Sequence, residues 1–577
     1  MKNKDIANSF YTIADLLEIE GDNPFRIRAY RKAGDALLSL HRPIEGLSEE
    51  DLLHIQGIGK DIAGKIKEAL TLGRISSLEE LKEKVPEELL VMKKIPGLGP
   101  KKVSLFYREL NVDSIKKLRL AAEDGSLLKL PGIRSKTVEN ILKGIEFYEM
   151  SREMIPLGEA YTVARGMTEY MRGEGVYGRI EVAGSIRRRK ETVGDIDILA
   201  EGGGDANPVE LLTHYPGITQ VIAQGATKGS VRFADMIQAD IRVVDRETFG
   251  SALQYFTGSK GHNVRLRHLA KEMGLKLSEY GLLPKEGGGR IKGREEEEIY
   301  GALGLPYIPP ELREDSGEVE AALNRCLPNL VNEEMIRGEL HLHTDWSDGF
   351  HSLDQVASFM KERGFEYFAV TDHSKSLRIA GGLSEEELSS QTRLIDKLNR
   401  SLEGITVLSG IEVDILREGT LDLRRSTLKK LDFVTGSIHT GLTQPREKAM
   451  RRIIAAIESG CVDMIGHLTG RLIGERQGYD VDVEKVLQSA RKFDVVLEIN
   501  SHPKRLDIDD LTCRLAKEKG VKVAITTDMH HVDDLDHLHF GIGIARRGWL
   551  DANDVINTWD LGRLTRFLRQ RREKFCT

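Results

Sequence analysis

The stretch Gly184-Ser185-Ile186-Arg187-Arg188-Arg189-Lys190-Glu191-Thr192-Val193-Gly194-Asp195-Ile196-Asp197 decides how the middle of this chain is read. Its end opens the run DIDILA, whose alternation predicts a strand, so Asp195 and Asp197 leave one face of it. A second strand pattern, ADIRVV, brings Asp240 alongside. Three carboxylates in one place suit Mg²⁺, which takes few protein oxygens and keeps positions for phosphate. A metal pair stabilises both the attacking and the leaving oxygen of a phosphoryl transfer. Gly184-Ser185 offers close backbone approach and a hydroxyl to a polyphosphate, and Arg188 offers a charge-assisted clamp. A D-x-D pair alone is more often a solvated strand edge. The upstream Gly-Ser, the basic run and the third acidic strand lift this one above that. Arg187, Arg189 and Lys190 read as a solvated turn.

Working outward, no strand pattern occurs before about Arg179; the first third predicts helices, with apolar residues three and four apart in YTIADLLEIE and RAYRKAGDALLSL. It contains a repeat. Ile55-Gln56-Gly57-Ile58-Gly59-Lys60 and Ile95-Pro96-Gly97-Leu98-Gly99-Pro100 share one pattern, hydrophobic-x-Gly-hydrophobic-Gly, and Leu130-Pro131-Gly132-Ile133-Arg134 is a degenerate third copy. Such helix-hairpin-helix turns aim backbone amides at a phosphate and hold a DNA backbone without reading bases. One copy would be only a tight turn between helices. Two clean copies with flanking lysines favour DNA binding by Gly57, Gly59, Lys60, Gly97, Gly99 and Lys101.

At 577 residues the chain exceeds a single core, and a prior of ~100–200 residues per domain predicts about three to five units. With 40% hydrophobic and 30% charged residues, wholesale disorder is excluded. No run approaches the ~18 apolar residues of a membrane span, and MKNKDIANSF lacks the apolar core of a signal peptide. A cytoplasmic protein without a membrane partner is expected. The net charge of -7 excludes a uniformly basic coat but not local basic patches. Cys326, Cys461, Cys513 and Cys576 are too scattered for a metal knuckle or a disulfide framework and read as buried or idle thiols. GLPYIPPEL followed by REDSGEVE is the best candidate for an interdomain linker.

Beyond it, eleven of the sixteen histidines lie at or after His341. Short apolar runs such as FEYFAVTDH, GITVLSGIEV, FDVVLEIN and VKVAITTDMH alternate with helical segments and end in polar residues, the pattern of a β/α barrel with its site at the strand C-terminal ends. His341 and His343 alternate on one strand face; Asp348, His373, Glu412, His439, His467, Asp528 and His530 follow. Any one of them is more often a satisfied core or capping residue. Nine together exceed one tetrahedral zinc site and imply two or three ions with carboxylate bridging.

On these motifs, roughly residues 1–315 resemble the X-family DNA polymerases of the nucleotidyltransferase superfamily. Tyr255-Phe256-Thr257-Gly258-Ser259 with Asn263 is similar to that family's nucleotide-selecting segment. The resemblance implies in-line attack of a primer 3'-hydroxyl on the α-phosphorus of a dNTP. Asp195 and Asp197 then bridge two Mg²⁺ or Mn²⁺ ions, and Asp240 completes the ion that activates the hydroxyl. Gly184, Ser185, Arg188, Gly194, Tyr255, Phe256, Gly258 and Asn263 form the nucleotide site. Within it, Ser185 and Arg188 hold pyrophosphate, Tyr255 and Phe256 exclude a 2'-hydroxyl, and Asn263 contacts the base. Lys260 departs from relatives that carry an acidic residue there. Lys65 stands where lyase-competent members place a Schiff-base lysine; Asp61, in place of their supporting lysine, favours a phosphate-contacting or solvated lysine instead.

Residues 336–577 resemble the PHP domain, the polymerase and histidinol phosphatase family, with all nine ligand positions filled and a cluster of Zn²⁺ and/or Mn²⁺ implied. The expected architecture is multidomain α and α/β. It comprises an N-terminal helix-hairpin-helix domain (1–85), a fingers-like helix-hairpin-helix domain (86–150), a nucleotidyltransferase palm (151–260), a thumb (261–315), a linker (316–335) and a distorted β/α barrel (336–577). The expected function is gap-filling DNA polymerisation on gapped or primed DNA by a monomer, with a 3'-5' exonuclease and, more weakly, an abasic endonuclease or 3'-phosphatase. The alternatives are a nucleotidyltransferase with a non-DNA acceptor and a DNA-binding scaffold with inactive sites.

Overall fold

The computed structural model describes residues 3–38, 44, 46–55, 57–93, 95, 97–202, 206–234, 236–284, 289, 291–442 and 444–576. It divides into two compact units, Met1–Glu153 and Met154–Thr577. Hairpin positions 56 and 96 lie outside the described residues.

In the first unit every element among the described residues is helical, and Phe10, Tyr30 and Phe106 are buried in one core. The repeat is structural as well as sequential. Helices Glu49–Leu53 and Lys60–Leu72 flank the first turn, Glu87–Met92 and Pro100–Leu110 the second, and a 3-10 turn and Ser135–Glu153 the third. In each copy the second apolar residue (Ile58, Leu98, Ile133) is buried, and its amide donates to the carbonyl three residues back. Gly57, Gly97 and Gly132 have φ of +102°, +83° and +79°, which a side chain would strain.

The second unit begins with β1 (Ile155–Pro156), β2 (Ile180–Val182), β3 (Thr192–Val193), β4 (Ile196–Glu201), β5 (Ile218–Gln224), β6 (Lys228–Phe233) and β7 (Ile237–Val244). The two-residue β1 pairs with β3 and lies upstream of Arg179, where no strand was expected; two residues are too short to alternate. The main sheet runs β2-β4-β7-β6-β5, with β4 and β7 parallel and the other pairs antiparallel. Helix Phe249–Thr257 follows it. Helix Lys260–Glu272 leads to a hairpin of β8 (Leu275–Ser278) and β9 (Gly281–Pro284).

The stretch expected to link the halves is instead folded into this unit. Arg313 is fully buried and pairs with Glu296 at 2.6 Å, and Glu318 is buried against His262 at 2.6 Å. Leu312, Val319 and Leu330 share a cluster with Leu266 and Trp549. Its charges have partners far away in the chain, which local composition does not report.

The barrel strands are β10 (Gly338–Leu342), β11 (Tyr367–Val370), β12 (Thr406–Asp414), β13 (Phe433–Ser437), β14 (Met464–Ile465), β15 (Val496–Asn500) and β16 (Val523–Thr526), all parallel and in sequence order. They are almost wholly buried, so they read as continuous apolar runs rather than alternating ones. The sheet nearly closes. At the C-terminal end of the seam Leu342 bridges to Met529. At the other end the Asn557 side chain accepts from Ile525 N at 3.1 Å and donates to Ile525 O at 2.7 Å and to Gly338 O at 2.9 Å, satisfying the open edges of β10 and β16. The Sγ atoms of Cys461 and Cys576 lie 2.7 Å apart, a meeting their spacing did not suggest. Among the described residues no helix is long and apolar enough to cross a membrane.

Because Asn557 is fully buried and serves three backbone groups, Asn557→Ala should lower unfolding free energy by about 3 kcal/mol. Urea denaturation followed by circular dichroism measures this.

Candidate active sites

The first site is a consequence of strand register. Asp197 on β4 is directly opposite Asp240 on β7, and one ligand atom each from Asp195, Asp197 and Asp240 lie within 4.8 Å of one another. Burial first, then Asp195 and Asp240, push the Asp197 carboxyl up to about 7 against the pull of Arg188 and Arg242. Asp195 is raised by burial and by Asp240. Gly184, at φ +60°, opens the helical turn Gly184–Arg187, and a Cβ there would land on Asp197 Oδ2. The Gly-Ser turn can therefore sit against the carboxylates only without a side chain. Gly194 is exposed just before Asp195.

The basic turn is not solvated as expected. Arg187 donates both Nη atoms to the buried Glu296 (3.0 and 2.6 Å) and Nη1 to Thr257 Oγ1. Arg189 stacks 5.0 Å from the Tyr161 ring. Arg188 binds Glu314 Oε1 through Nε at 2.9 Å and the Thr257 carbonyl through Nη1 at 2.8 Å. Phe256 lines one small cavity with Asp197, Asp240, Lys228 and Arg242, and Tyr255 meets it edge-on at 5.3 Å. Asn263 donates to the Tyr255 carbonyl at 2.6 Å and accepts from Gln254 at 2.9 Å, close against Gly258. Lys228 and Arg242 were not singled out in the sequence, where they are ordinary polar positions of an alternating strand.

In the first unit, Gly59 and Gly99 are extended N-caps without a side-chain cap bond, and a Cβ at Gly59, Gly97 or Gly99 would meet open space, so the backbone there is approachable. Lys60 and Lys101 stand in the first turns of the helices that follow. Lys65 donates to Asp61 Oδ1 at 2.6 Å. Burial pulls its pKa down, but Asp61 and Tyr30 together more than offset this and raise it, which favours the ammonium form.

The second site lies at the C-terminal ends of the barrel strands. It brings eight of the nine expected residues together in three overlapping sets: His343, Asp348, His373 and His530; His341, His343 and Asp528; and His373, Glu412 and His439. His467 Nε2 reaches Glu412 Oε1 at 3.1 Å. Glu412 is the hub, fully buried and held well below the usual carboxylate range, because His439, His341 and His373 outweigh burial. Burial, then His530 and His373, push His343 down to about 3, whereas Glu412 and Asp348 overcome burial to lift His373 to about 10. His341 Nε2, His343 Nδ1, His373 Nδ1 and Glu412 Oε2 are buried without a hydrogen-bond partner. The last two lie 2.8 Å apart yet are not aligned as donor and acceptor. Buried lone pairs turned on one point in this way fit cations.

Sequence reasoning missed the groups behind these ligands. Glu498 holds His341 Nδ1 at 2.5 Å, Asp414 holds His439 Nδ1 at 3.1 Å, and Asn500 donates to Asp528 Oδ2 at 3.1 Å. Such partners fix ring orientation and tautomer. A signal existed, since Glu498 and Asn500 alternate on β15 as Glu412 and Asp414 do on β12. His351, His502, His531, His537 and His539 supply no atom to the three sets.

The chain matches the helix-hairpin-helix domain over residues 1–75, the SAM-like helix-hairpin-helix tandem over 49–111 and 90–146, the DNA polymerase beta thumb over 252–314 and the PHP domain over 339–502. It is 39% identical over 572 residues to "DNA polymerase/3'-5' exonuclease PolX" of Bacillus subtilis (strain 168), covering 99% of this chain and 100% of that protein. DNA polymerase lambda of Rattus norvegicus is 27% identical over 341 residues, 54% of this chain and 56% of that one. A "Probable phosphatase" of Thermoanaerobacter sp. (strain X514) is 30% identical over 247 residues, 41% of this chain and 96% of that one. Since the likeness to the Bacillus protein runs the length of both chains and takes in both clusters of ligands, this chain belongs to the PolX family of X-family DNA polymerases with a C-terminal PHP domain.

Proposed function

We propose that the chain is a DNA-directed DNA polymerase that fills gaps in base excision repair, and that its barrel is a metal-dependent 3'-5' exonuclease acting on the same DNA. The observation that carries the polymerase is the β4–β7 register, which sets Asp197 opposite Asp240 with Asp195 beside them. Asp195, Asp197 and Asp240 hold Mg²⁺ or Mn²⁺, which when bound activates the primer 3'-hydroxyl and neutralises the leaving pyrophosphate. Ser185 and the Gly184 backbone receive the triphosphate, with Arg188 turning from Glu314 to clamp it. Tyr255 and Phe256 bound the sugar pocket. The exposed turns at Gly57, Gly59, Gly97 and Gly99, with Lys60 and Lys101, hold the DNA backbone. The Lys65–Asp61 pair supports a phosphate contact over a lyase nucleophile, which needs a neutral amine.

In the barrel, His341, His343, Asp348, His373, Glu412, His439, His467, Asp528 and His530 hold two or three Zn²⁺ or Mn²⁺ ions. These supply hydroxide and clamp phosphate oxygens for phosphoester hydrolysis. The likeness to a phosphatase supports 3'-phosphatase activity beside the exonuclease. The candidate ligands of each site come from one chain, which supports a monomer, and DNA and dNTP as substrates support a cytoplasmic location. A non-DNA acceptor is disfavoured by the three hairpins, and an inactive scaffold by the complete ligand sets.

A labelled gapped duplex with dNTPs and Mg²⁺ or Mn²⁺ tests this. Asp197→Ala should abolish extension and keep shortening, and His343→Ala should do the reverse; loss of both activities in either variant, or of neither, would sink the assignment. Gly184→Ala, which drives a methyl onto Asp197 and strains a backbone at φ +60°, should also abolish extension while leaving the exonuclease near wild type, with a modest fall in melting temperature. Because Asp197 keeps its proton up to about 7, Mg²⁺ affinity should rise as pH increases through that value. Titration calorimetry at pH ~6 in buffers of different ionisation enthalpy should then show release of about one proton per site filled.

A further inference from the structure

The turn that carries Arg188 rests on the barrel. The helix Leu538–Arg547 follows the last barrel strand, and Arg547 at its end donates through Nη1 to the Arg188 carbonyl at 2.9 Å. The same Nη1 lies 2.8 Å from Glu314 Oε1, the oxygen that accepts from Arg188 Nε at 2.9 Å. Asp510 fixes Arg547 from the other side, 2.8 Å from Nε and 2.7 Å from Nη2. Nearby, Arg471 pairs with Glu191 at 2.7 Å, and the Arg189 side chain lies against Gly543. Glu314 thus stands between two guanidiniums, one from the nucleotide loop and one from the barrel. The side chains of Arg188, Glu314 and Arg547 are only 12%, 22% and 7% exposed, so water screens them little.

Arg188 can clamp a triphosphate only by giving up Glu314. A covered carboxylate left without a cation is strongly destabilising, whereas one that keeps a second guanidinium is not. We propose that Arg547 is a positioning residue of the polymerase site: it retains Glu314 when Arg188 turns to the triphosphate, so the barrel lowers the cost of binding the nucleotide. This rests on Arg188 as the triphosphate clamp. Arg547 touches no substrate, and its effect passes through Glu314.

The test is single-nucleotide insertion into gapped DNA by the full-length enzyme, with exonuclease on a single-stranded oligonucleotide as the measure of an intact barrel. Arg547→Met should raise KM for dNTP about tenfold with kcat within about twofold, the signature of lost binding rather than lost chemistry. The exonuclease should be unchanged. Adding Glu314→Gln removes the stranded charge and should restore KM to within about twofold of wild type. An unchanged KM in Arg547→Met, a fall in kcat alone, or a double variant no better than the single overturns the proposal. Should Arg547→Met also lose exonuclease, Glu314→Gln alone decides. It frees Arg188 and should leave KM equal or lower, and a rise overturns the proposal. Arg188→Ala separates the two levels: no rise in KM there removes the clamp itself, whereas a rise there with Arg547→Met silent removes only the role of Arg547.

Discussion

Carboxylates gathered within 4.8 Å of one another repel across a gap that water screens poorly, and Asp195, Asp197 and Asp240 are held there by the parallel pairing of β4 with β7. Arg188 and Arg242 offset the repulsion only in part. Burial and mutual repulsion drive Asp197 towards the protonated form, so the arrangement favours a divalent cation or a proton. Much of the surrounding unit serves to keep that geometry. Gly184 lacks the side chain that would block it, and Arg187, Glu296 and Arg313 form a buried ion cluster that ties the loop to the elements after it. Arg313 and Arg187 more than offset the burial of Glu296 and hold it at about 2, so the cluster stays charged across the pH range in which DNA is copied.

The barrel meets a similar problem with the opposite balance. Imidazoles outnumber carboxylates, and β10, β11, β13, β14 and β16 deliver them to one end. Carboxylates behind the rings, Glu498 and Asp414, set which nitrogen faces inward. The strands are buried on both faces, and the candidate ligands gather towards their C-terminal ends. The seam between β10 and β16 closes through Asn557 below and Leu342 with Met529 above, which keeps His341 and Asp528 facing each other.

Charge also joins the two centres of the second unit. The loop 184–191 meets the barrel through Arg547, Arg471 and Gly543, so the two candidate sites lie in one compact unit. For an enzyme that both adds to and trims a 3' end, two sites in one unit meet the same DNA at high effective concentration.

The chemistry was legible in the linear order because its signals are local. Period-two alternation put Asp195 with Asp197 and His341 with His343, and the glycine pattern of the hairpins named three turns whose φ values the structure repeats. The stretch 304–320 and the basic turn at Arg187 and Arg189 were misread for the converse reason. Prolines and charges signal a solvated linker only if no partner covers them, and their partners lie far along the chain: Arg187 with Glu296, His262 with Glu318, Glu314 with Arg547. An ion pair depends on distance in space, which periodicity cannot report. Residue type and spacing therefore determined what this protein can bind and react with, while tertiary packing alone decided which charges are spoken for before any substrate arrives.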